Sequence, residues 1–234
     1  MKTLAAARSL ARRLLEPGPG QVRRLPIGPA AGIRLEADPH PSLDQWLGLF
    51  ESELAPWVRR LCRPGTRCVD VGGYNAYYAL MFAKLSRAPV LSYEPDAEAV
   101  ARSRRNLVLN PALAPLVEIR ELAVGARSDL GVVTLDDELL NPARRAGAAK
   151  AFLVKVDVEG AELDVLRGAA GVLARLRPHV IVETHSPELE VACGDALLAS
   201  GYVPRIVTQR ALLPQDRSWG GITRHNRWLV AAGG

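Results

Sequence analysis

Residues 68–80 read CVDVGGYNAYYAL, and this stretch decides the fold. An apolar run ends in Asp70, the pair Gly72 and Gly73 follows, and a helix-like segment begins at Asn75. A buried strand that passes through a glycine turn into a helix is typical of a nucleotide-binding α/β unit. A dinucleotide loop needs the pattern G-x-G-x-x-G, whereas these two glycines are adjacent and no third follows. The turn therefore favours a nucleotide-bearing cofactor that lacks a pyrophosphate.

The composition is that of an ordinary globular domain. The chain has 234 residues, of which 48% are hydrophobic and 24% charged. No apolar run approaches the roughly 20 residues of a membrane-spanning helix, so we expect a soluble protein. The three cysteines form no CxxC pair, which fits a reduced, cytoplasmic compartment. Arginine pairs spread along the chain carry most of the net charge of +5, which favours a solvated basic surface over a nucleic-acid-binding face.

Strand-like and helix-like segments alternate from residue 67 onward. This alternation predicts a parallel sheet with crossover helices on both faces. Two late runs, around residues 202–208 and 227–231, have no convincing helix between them and predict a final antiparallel pair. The other predicted strands are 67–71, 89–93, 117–124, 152–158 and 179–184, and the predicted helices are 75–86, 97–109, 161–176 and 187–200.

The residues before this alternation predict a helical extension. A helix close to the amino terminus has an apolar face, which favours docking or homodimer formation over a place on a membrane surface. A second amphipathic helix should run from Ser42 to Leu61, with a kink at Pro56. We expect residues 1–64 to form N-terminal helices and a connector, and residues 65–234 to form the α/β domain.

Charged side chains follow several predicted strands, at the edge where open parallel sheets bind ligands. Glu94 ends the second of these strands, 24 residues after Asp70. It is placed to accept hydrogen bonds from ribose hydroxyls, and it could equally be an acid at a helix start. Glu94 and the glycine turn together favour a ribose-bearing cofactor.

Two further strand ends carry candidate chemistry. Lys155, Asp157 and Glu159 surround one of them, and alternation puts Lys155 and Asp157 on the same face of the sheet. An ion pair with helix-capping acids would explain these residues, whereas their expected place beside the glycine turn favours chemistry. His185 follows the next strand, where a neutral imidazole could accept a proton from a substrate hydroxyl or could merely hold a loop.

Several of these segments, in the same order, resemble the FkbM-type family of S-adenosylmethionine-dependent methyltransferases. The resemblance runs from the second helix to about Tyr202, and its most specific part is FLVKVDVEGAELDVLRGA at residues 152–169. The other matching segments are RPGTRCVDVGG, LSYEPDAEAV followed by NLVLN, AVG at residues 123–125, VVTLDDEL and RPHVIVETH.

The resemblance implies a class I methyltransferase (Rossmann-like) fold. Such a fold has a seven-stranded, mostly parallel sheet with a final antiparallel strand, here preceded by the N-terminal helical extension. Residues 65–234 would then be the catalytic domain, and the extension would cover the active site. The implied reaction is O-methylation of a small-molecule hydroxyl, in a sugar or a polyketide-type natural product.

The resemblance also implies roles for individual residues around S-adenosylmethionine. Asp70, Gly72 and Gly73 would line the methionine part, and Tyr74 and Asn75 of the same turn would also bind the cofactor. Glu94 would hold the ribose, Ala123 would lie near the adenine, and Asp157 would lie near the amino group or the transferring methyl. The candidates for the base are His185, Asp157 and Glu159. Asp136, Asp137, Asp157 and Glu159 offer oxygen ligands, but their spacing specifies no metal, and we predict none.

One departure from the family pattern supports an alternative function. The family's first turn usually reads D-x-G-A-N-x-G, whereas Tyr74 stands here in place of the asparagine and Ala76 in place of the last glycine. The bulk of Tyr74 would weaken cofactor binding, so the alternative is a degenerate, non-catalytic binding protein. A nucleic-acid methyltransferase would need an RNA-binding appendage or an NPPY-like motif, and the sequence shows neither. We therefore expect a small-molecule acceptor and no nucleic acid.

Overall fold

The glycine turn lies at the carboxyl end of an inner strand of a seven-stranded sheet. The computed structural model describes residues 18, 20–37, 43–141, 152–208 and 227–233. Its strands are β1 (Val22–Arg24), β2 (Arg34–Glu36), β3 (Arg67–Val71), β4 (Val90–Tyr93), β5 (Val117–Arg120), β6 (Ala123–Val124), β7 (Val132–Val133), β8 (Phe152–Val156), β9 (His179–Thr184), β10 (Arg205–Thr208) and β11 (Arg227–Ala231). Its helices are α1 (Leu43–Leu47), α2 (Ala55–Leu61), α3 (Tyr77–Ser86), α4 (Ala97–Val108), α5 (Leu135–Leu139), α6 (Glu162–Arg167), α7 (Ala170–Arg175) and α8 (Pro187–Ala199).

The large sheet has the strand order β10-β11-β9-β8-β3-β4-β5. Strands β5, β4, β3, β8 and β9 run parallel to their neighbours, while β11 is antiparallel to both β9 and β10. The predicted class I methyltransferase fold is confirmed, including the antiparallel pairing of the last two strands. Strands β1 and β2 form a separate antiparallel hairpin.

Helices and N-terminal elements cover the two faces of the sheet, so its central strands are buried on both sides. One apolar cluster contains Leu54 and Leu80 together with Cys68 of β3. The cluster on the other face contains Val69 of β3 and Val165 of α6. Because alternate residues of a strand face opposite sides, Asp70 lies on the same face as α3 and the N-terminal elements.

The predicted helix at residues 42–61 is interrupted. Gly48 and Glu51 adopt positive φ angles of 81° and 48°, and a short 3₁₀ turn at Ser52–Leu54 separates α1 from α2. Pro56 lies in the first turn of α2, where its missing N–H costs no helical hydrogen bond. The prediction of one kinked helix was therefore wrong. Ser42, the expected start of this helix, lies outside the described residues, as do the helix expected near the amino terminus and residues 209–226 between the two late strands.

Two further predicted elements are divided. The strand predicted at 117–124 leaves the large sheet after Arg120, and Ala123 begins β6, which pairs with β7 instead. The helix predicted at 161–176 is split into α6 and α7 around Gly168. A Cβ atom on Gly168 would overlap the carbonyl oxygen of Gly125, which shows how closely the backbones approach there. None of the described helices is long and apolar enough to cross a membrane.

Gly72 joins the carboxyl ends of three neighbouring strands. Its N–H donates to the carbonyl oxygen of Tyr93 at 2.9 Å, and its φ angle is +86°. A Cβ atom at this position would overlap the carbonyl oxygen of Asp157, which follows β8. Glycine is therefore required here by the contact between protein backbones, before any ligand is considered.

We predict that Gly72→Ala destabilises the protein far more than Gly65→Ala. Gly65 has nearly the same φ angle, +88°, but open space around its missing Cβ atom. Gly65→Ala should cost about 1 kcal/mol of left-handed strain, whereas Gly72→Ala should cost about 3 kcal/mol or more, because strand ends must also separate. Urea unfolding followed by circular dichroism measures both. Equal losses of unfolding free energy in the two variants would show that left-handed strain alone explains the glycine at position 72.

Candidate active site

Four carboxylates and one ammonium group meet on one face of the sheet, at the carboxyl ends of its strands. Three of these side chains face the same side of the sheet: Asp70 in β3, Lys155 in β8 and Glu183 in β9. Asp70 is paired directly with Lys155, and Glu183 lies two residues after Ile181, the partner of Lys155 in β9. Asp157 follows β8 on that side, and Glu51 approaches from the segment before α2. The predicted shared face of Lys155 and Asp157 is thus present in the structure.

Lys155 is 1% exposed and neutralises part of this negative charge. Its Nζ donates to Oδ2 of Asp157 at 2.7 Å and lies 4.2 Å from the centre of the Tyr78 ring, a cation–π contact. Burial disfavours the ammonium charge, but the surrounding carboxylates outweigh burial, so the pKa of Lys155 lies above its usual value. The ion pair holds one oxygen of Asp157, and the other oxygen faces His185 at 3.7 Å from Nε2.

Asp70 is buried, and neither of its carboxylate oxygens has a hydrogen-bond partner among the residues that the structure describes. Burial raises the pKa of Asp70 from near 3.8 to about 7; Lys155 opposes the rise, while Asp157 and Glu51 add to it. An unsatisfied buried carboxyl group is costly. A ligand that brings a cationic donor to this position would remove that cost.

Glu51 and Glu183 are the other two acids of the cluster. Glu183 accepts a hydrogen bond from Nε1 of Trp228 at 3.1 Å, and Glu51 accepts one from the Tyr78 hydroxyl at 2.5 Å. Burial raises the pKa of both carboxyl groups, that of Glu183 to about 7, and the nearby charge of Glu183 adds to the rise at Glu51. Because both pKa values are raised, the pair retains a proton near neutral pH.

His185 is held by a buried glutamate that sequence reasoning did not single out. Its Nδ1 lies 2.6 Å from Oε1 of Glu162, and its Nε2 lies 3.7 Å from Asp157 and 4.0 Å from Glu183. The hydrogen bond to Glu162 raises the pKa of His185 and outweighs the opposing effect of burial. The structure thus brings together the predicted residues His185 and Asp157, whereas Glu159 is exposed on the preceding loop.

Asp157, Glu183 and His185 are the described residues that could hold a metal ion. Each offers one ligand atom, and these three atoms lie within 4.8 Å of one another. The other acids considered from the sequence have structural roles: Asp136 accepts hydrogen bonds from the first turn of α7, and Asp137 accepts one from Ser128. The absence of a metal site stays a prediction.

Glu94 holds the glycine turn from the end of β4. Its Oε2 accepts from the N–H of Tyr74 at 2.9 Å and its Oε1 from the N–H of Asp96 at 3.0 Å. Asp96 in turn caps α4. Each oxygen of Glu94 retains a further lone pair, so the predicted ribose contact is compatible with these bonds. Ala123, predicted near the adenine, lies in β6, and its backbone N–H donates to Gly131.

The side chain of Tyr74 lies against α4. It is 48% exposed, Arg102 lies over its ring at 5.2 Å, and its hydroxyl accepts a hydrogen bond from Arg102 at 3.3 Å. Asn75 is buried, and its side-chain oxygen accepts from the N–H of Tyr77 at the start of α3. The turn thus directs the bulk of Tyr74 toward a helix surface, while Asn75 has a capping role.

Glu51, Glu162 and Glu183 are acids of the site that sequence reasoning missed. Glu162 lies inside the matched segment VKVDVEGAE, five residues after Asp157, so that spacing could have singled it out. In the sequence, Glu51 lies within the segment predicted as an amphipathic helix, and no local pattern distinguishes it from the other acids there.

A model of the FkbM methyltransferase domain matches residues 130–202. This segment contains Asp157, Glu162, Glu183 and His185, and the match confirms the resemblance to FkbM-type methyltransferases. A relative from Jannaschia sp. (strain CCS1), named "Putative methyltransferase", is 22% identical over 79% of this chain and 86% of its own length. These two findings support a methyltransferase.

Solved structures share the fold. The FkbM methyltransferase of Methylobacillus flagellatus KT superposes with a TM-score of 0.55 at 16% identity, over 80% of this chain and 52% of that protein, so this chain spans about half of its length. A "putative RNA methyltransferase" of Pyrococcus horikoshii superposes with a TM-score of 0.55 at 15% identity, over 85% and 92% of the two chains. At such low identities these likenesses concern the fold alone.

We predict that Asp70→Asn stabilises the ligand-free protein at pH 8 and not at pH 4. Because the folded state raises the pKa of Asp70 to about 7, the folded protein loses stability as the pH rises from about 4 toward 7. The variant removes that loss, which is roughly 2–4 kcal/mol at pH 8. Chemical denaturation at both pH values tests it, with Asp195→Asn on exposed α8 as the control. A benefit that is the same at both pH values would contradict the buried charge as its cause.

Proposed function

We propose that this protein transfers a methyl group from S-adenosylmethionine to a hydroxyl of a small molecule, such as a sugar or a polyketide-type natural product. The observation that carries the proposal is the family match over residues 130–202, the segment that supplies Asp157, Glu183 and His185 to one cluster. The other support is the pair of acids, Asp70 and Glu94, at the ends of β3 and β4.

The residues at the glycine turn fit S-adenosylmethionine. Asp70 offers two unpartnered, buried carboxylate oxygens that suit the ammonium group of the cofactor's methionine part. Glu94 would hold the ribose hydroxyls, and Ala123 would lie near the adenine, as the resemblance implies. When bound, the cofactor supplies an electrophilic methyl group on a sulfonium ion. The packing of Tyr74 on Arg102 favours this cofactor-binding function over the degenerate alternative.

His185 is the residue to which we assign the acceptor's proton. An aliphatic hydroxyl keeps its proton at neutral pH, so a base must accept it as the new bond forms. Nε2 of neutral His185 can do so, whereas one carboxylate oxygen of Asp157 is already engaged by the Lys155 ammonium. Asp157 would instead orient the acceptor and the cofactor. Glu159, which is exposed, receives no role in this scheme.

The N-terminal residues would cover this site. Glu51, from the expected covering segment at residues 1–64, already contributes its carboxyl group to the cluster of Lys155 and Glu183. The hairpin of β1 and β2 is anchored to α3, because Nζ of Lys84 donates to the carbonyl oxygens of Pro29 and Ala31. An acceptor would then bind between this cover and the strand ends.

We expect S-adenosylmethionine and S-adenosylhomocysteine to bind with dissociation constants in the micromolar range, about −8 kcal/mol, and NAD not to bind. Isothermal titration calorimetry measures all three. Asp70→Asn and Glu94→Ala should each weaken binding at least about tenfold, since each removes a charge-assisted hydrogen bond. The control Asp195→Asn should bind normally. A folded protein that binds neither compound would contradict the proposal.

We also expect methyl transfer to rise with pH until His185 is neutral. Because the pKa of His185 is raised, the loss of activity on lowering the pH should begin at a higher pH than it would with an ordinary imidazole as the base. His185→Gln should lower kcat by about 100-fold or more while leaving cofactor affinity unchanged. Radiolabelled methyl transfer to a panel of sugars and hydroxylated polyketides provides the assay. Full activity of His185→Gln would assign the proton to another group.

A further inference from the structure

Glu162 links the ends of β8 and β9, because one buried oxygen of its side chain makes two contacts with His185. The residue begins α6 after β8, and its side chain is 0% exposed. Its Oε1 lies 2.6 Å from Nδ1 of His185 and also accepts the backbone N–H of His185 at 3.2 Å. The imidazole is therefore held both at its ring and at its backbone.

This contact determines which ring nitrogen of His185 carries the proton. An ionised carboxylate only accepts hydrogen bonds, so Nδ1 must be the donor in the contact with Glu162. The lone pair of the neutral ring then lies on Nε2. That atom faces Asp157 and Glu183, at 3.7 and 4.0 Å. The nitrogen able to accept a proton thus points into the cluster.

Glu162 is buried more deeply than an acid at the start of a helix usually is. An acid in the first turn of a helix is stabilised by the helix dipole while remaining exposed, as Asp164 of α6 is. Glu162 is instead fully buried, and its Oε2 has no partner within the described part of the chain. Its two contacts with His185 are thus what distinguishes Glu162 from an ordinary acid at a helix start.

We propose that Glu162 is a positioning residue, which fixes the tautomer and orientation of His185 so that Nε2 accepts the proton of the methyl acceptor. This inference rests on the proposed function, because it concerns the base of that reaction. Glu162 touches neither acceptor nor cofactor in this scheme and acts through His185. Once His185 has accepted the proton, the adjacent carboxylate stabilises the resulting imidazolium.

The state of His185 can be measured without any methyl acceptor. Long-range ¹H–¹⁵N correlation NMR distinguishes the tautomers, and His185→Gln identifies the signals. In the parent protein the neutral ring should carry its proton on Nδ1, and the pKa of His185 should lie above the ordinary value. Glu162→Gln keeps a hydrogen-bond acceptor but removes the charge, so the pKa should fall. Glu162→Ala should also lose the single tautomer, and Asp164→Asn on the same helix should change neither.

The kinetic readout separates positioning from a merely structural role. In Glu162→Gln the acid limb of the pH profile of kcat/KM should move to lower pH, and its plateau should fall by about 10- to 100-fold. Cofactor affinity, measured by calorimetry, should stay within about twofold of the parent value. If Glu162→Gln does not fold, Glu162→Asp, which keeps the charge but withdraws it by one methylene, should lower the pKa of His185 and the plateau in the same direction.

The outcomes separate the two proposals. An unchanged titration and tautomer of His185 in folded Glu162→Gln would overturn the positioning role, whatever the activity. A shifted titration together with a displaced acid limb would support it. If the parent protein binds S-adenosylmethionine but methylates no hydroxyl acceptor, the proposed function is overturned and the catalytic role of the pair with it. The NMR result would then describe a structural ion pair only.

Discussion

The ammonium group of Lys155 allows several acidic side chains to share one buried strand edge. Asp70, Asp157, Glu51 and Glu183 all act on it electrostatically, and each would repel the others without it. One positive charge does not balance four negative ones, so part of the cluster is protonated near neutral pH, as the raised pKa values of Asp70 and Glu183 show. The excess negative charge therefore favours the binding of a further positive charge at this site, whether from a ligand or from protonated His185.

Strand ends were the part of the site that the sequence could predict. Parallel strands buried on both faces produce continuous apolar runs, so residues 67–71 and 179–184 were predicted with the bounds that the structure has. Carboxyl ends of parallel strands meet at one edge, and this rule placed Asp157 and His185 at the same edge of the sheet, where the structure brings them to 3.7 Å. Periodicity along one chain segment was sufficient for both inferences.

The rest depends on contacts between distant segments. Glu162 could be explained locally as one more acid at a helix start, and only its burial against His185 shows otherwise. Glu51 enters the site because the chain turns through a left-handed conformation before α2, a local strain that no propensity predicts. Likewise, the helix predicted at residues 161–176 is divided where Gly168 closely approaches Gly125. Hydrophobic periodicity contains no information about such approaches.

The raised pKa values of Glu51 and Glu183 make the packing of the N-terminal segment against the sheet a proton-linked event. In water each carboxyl group loses its proton well below neutral pH, whereas the docked pair keeps one. Docking therefore takes up a proton, and by linkage it becomes weaker as the pH rises above the range in which free carboxyl groups titrate. The pH of the solution thus acts on the contact between Glu51 and β9, which lie more than 100 positions apart in sequence.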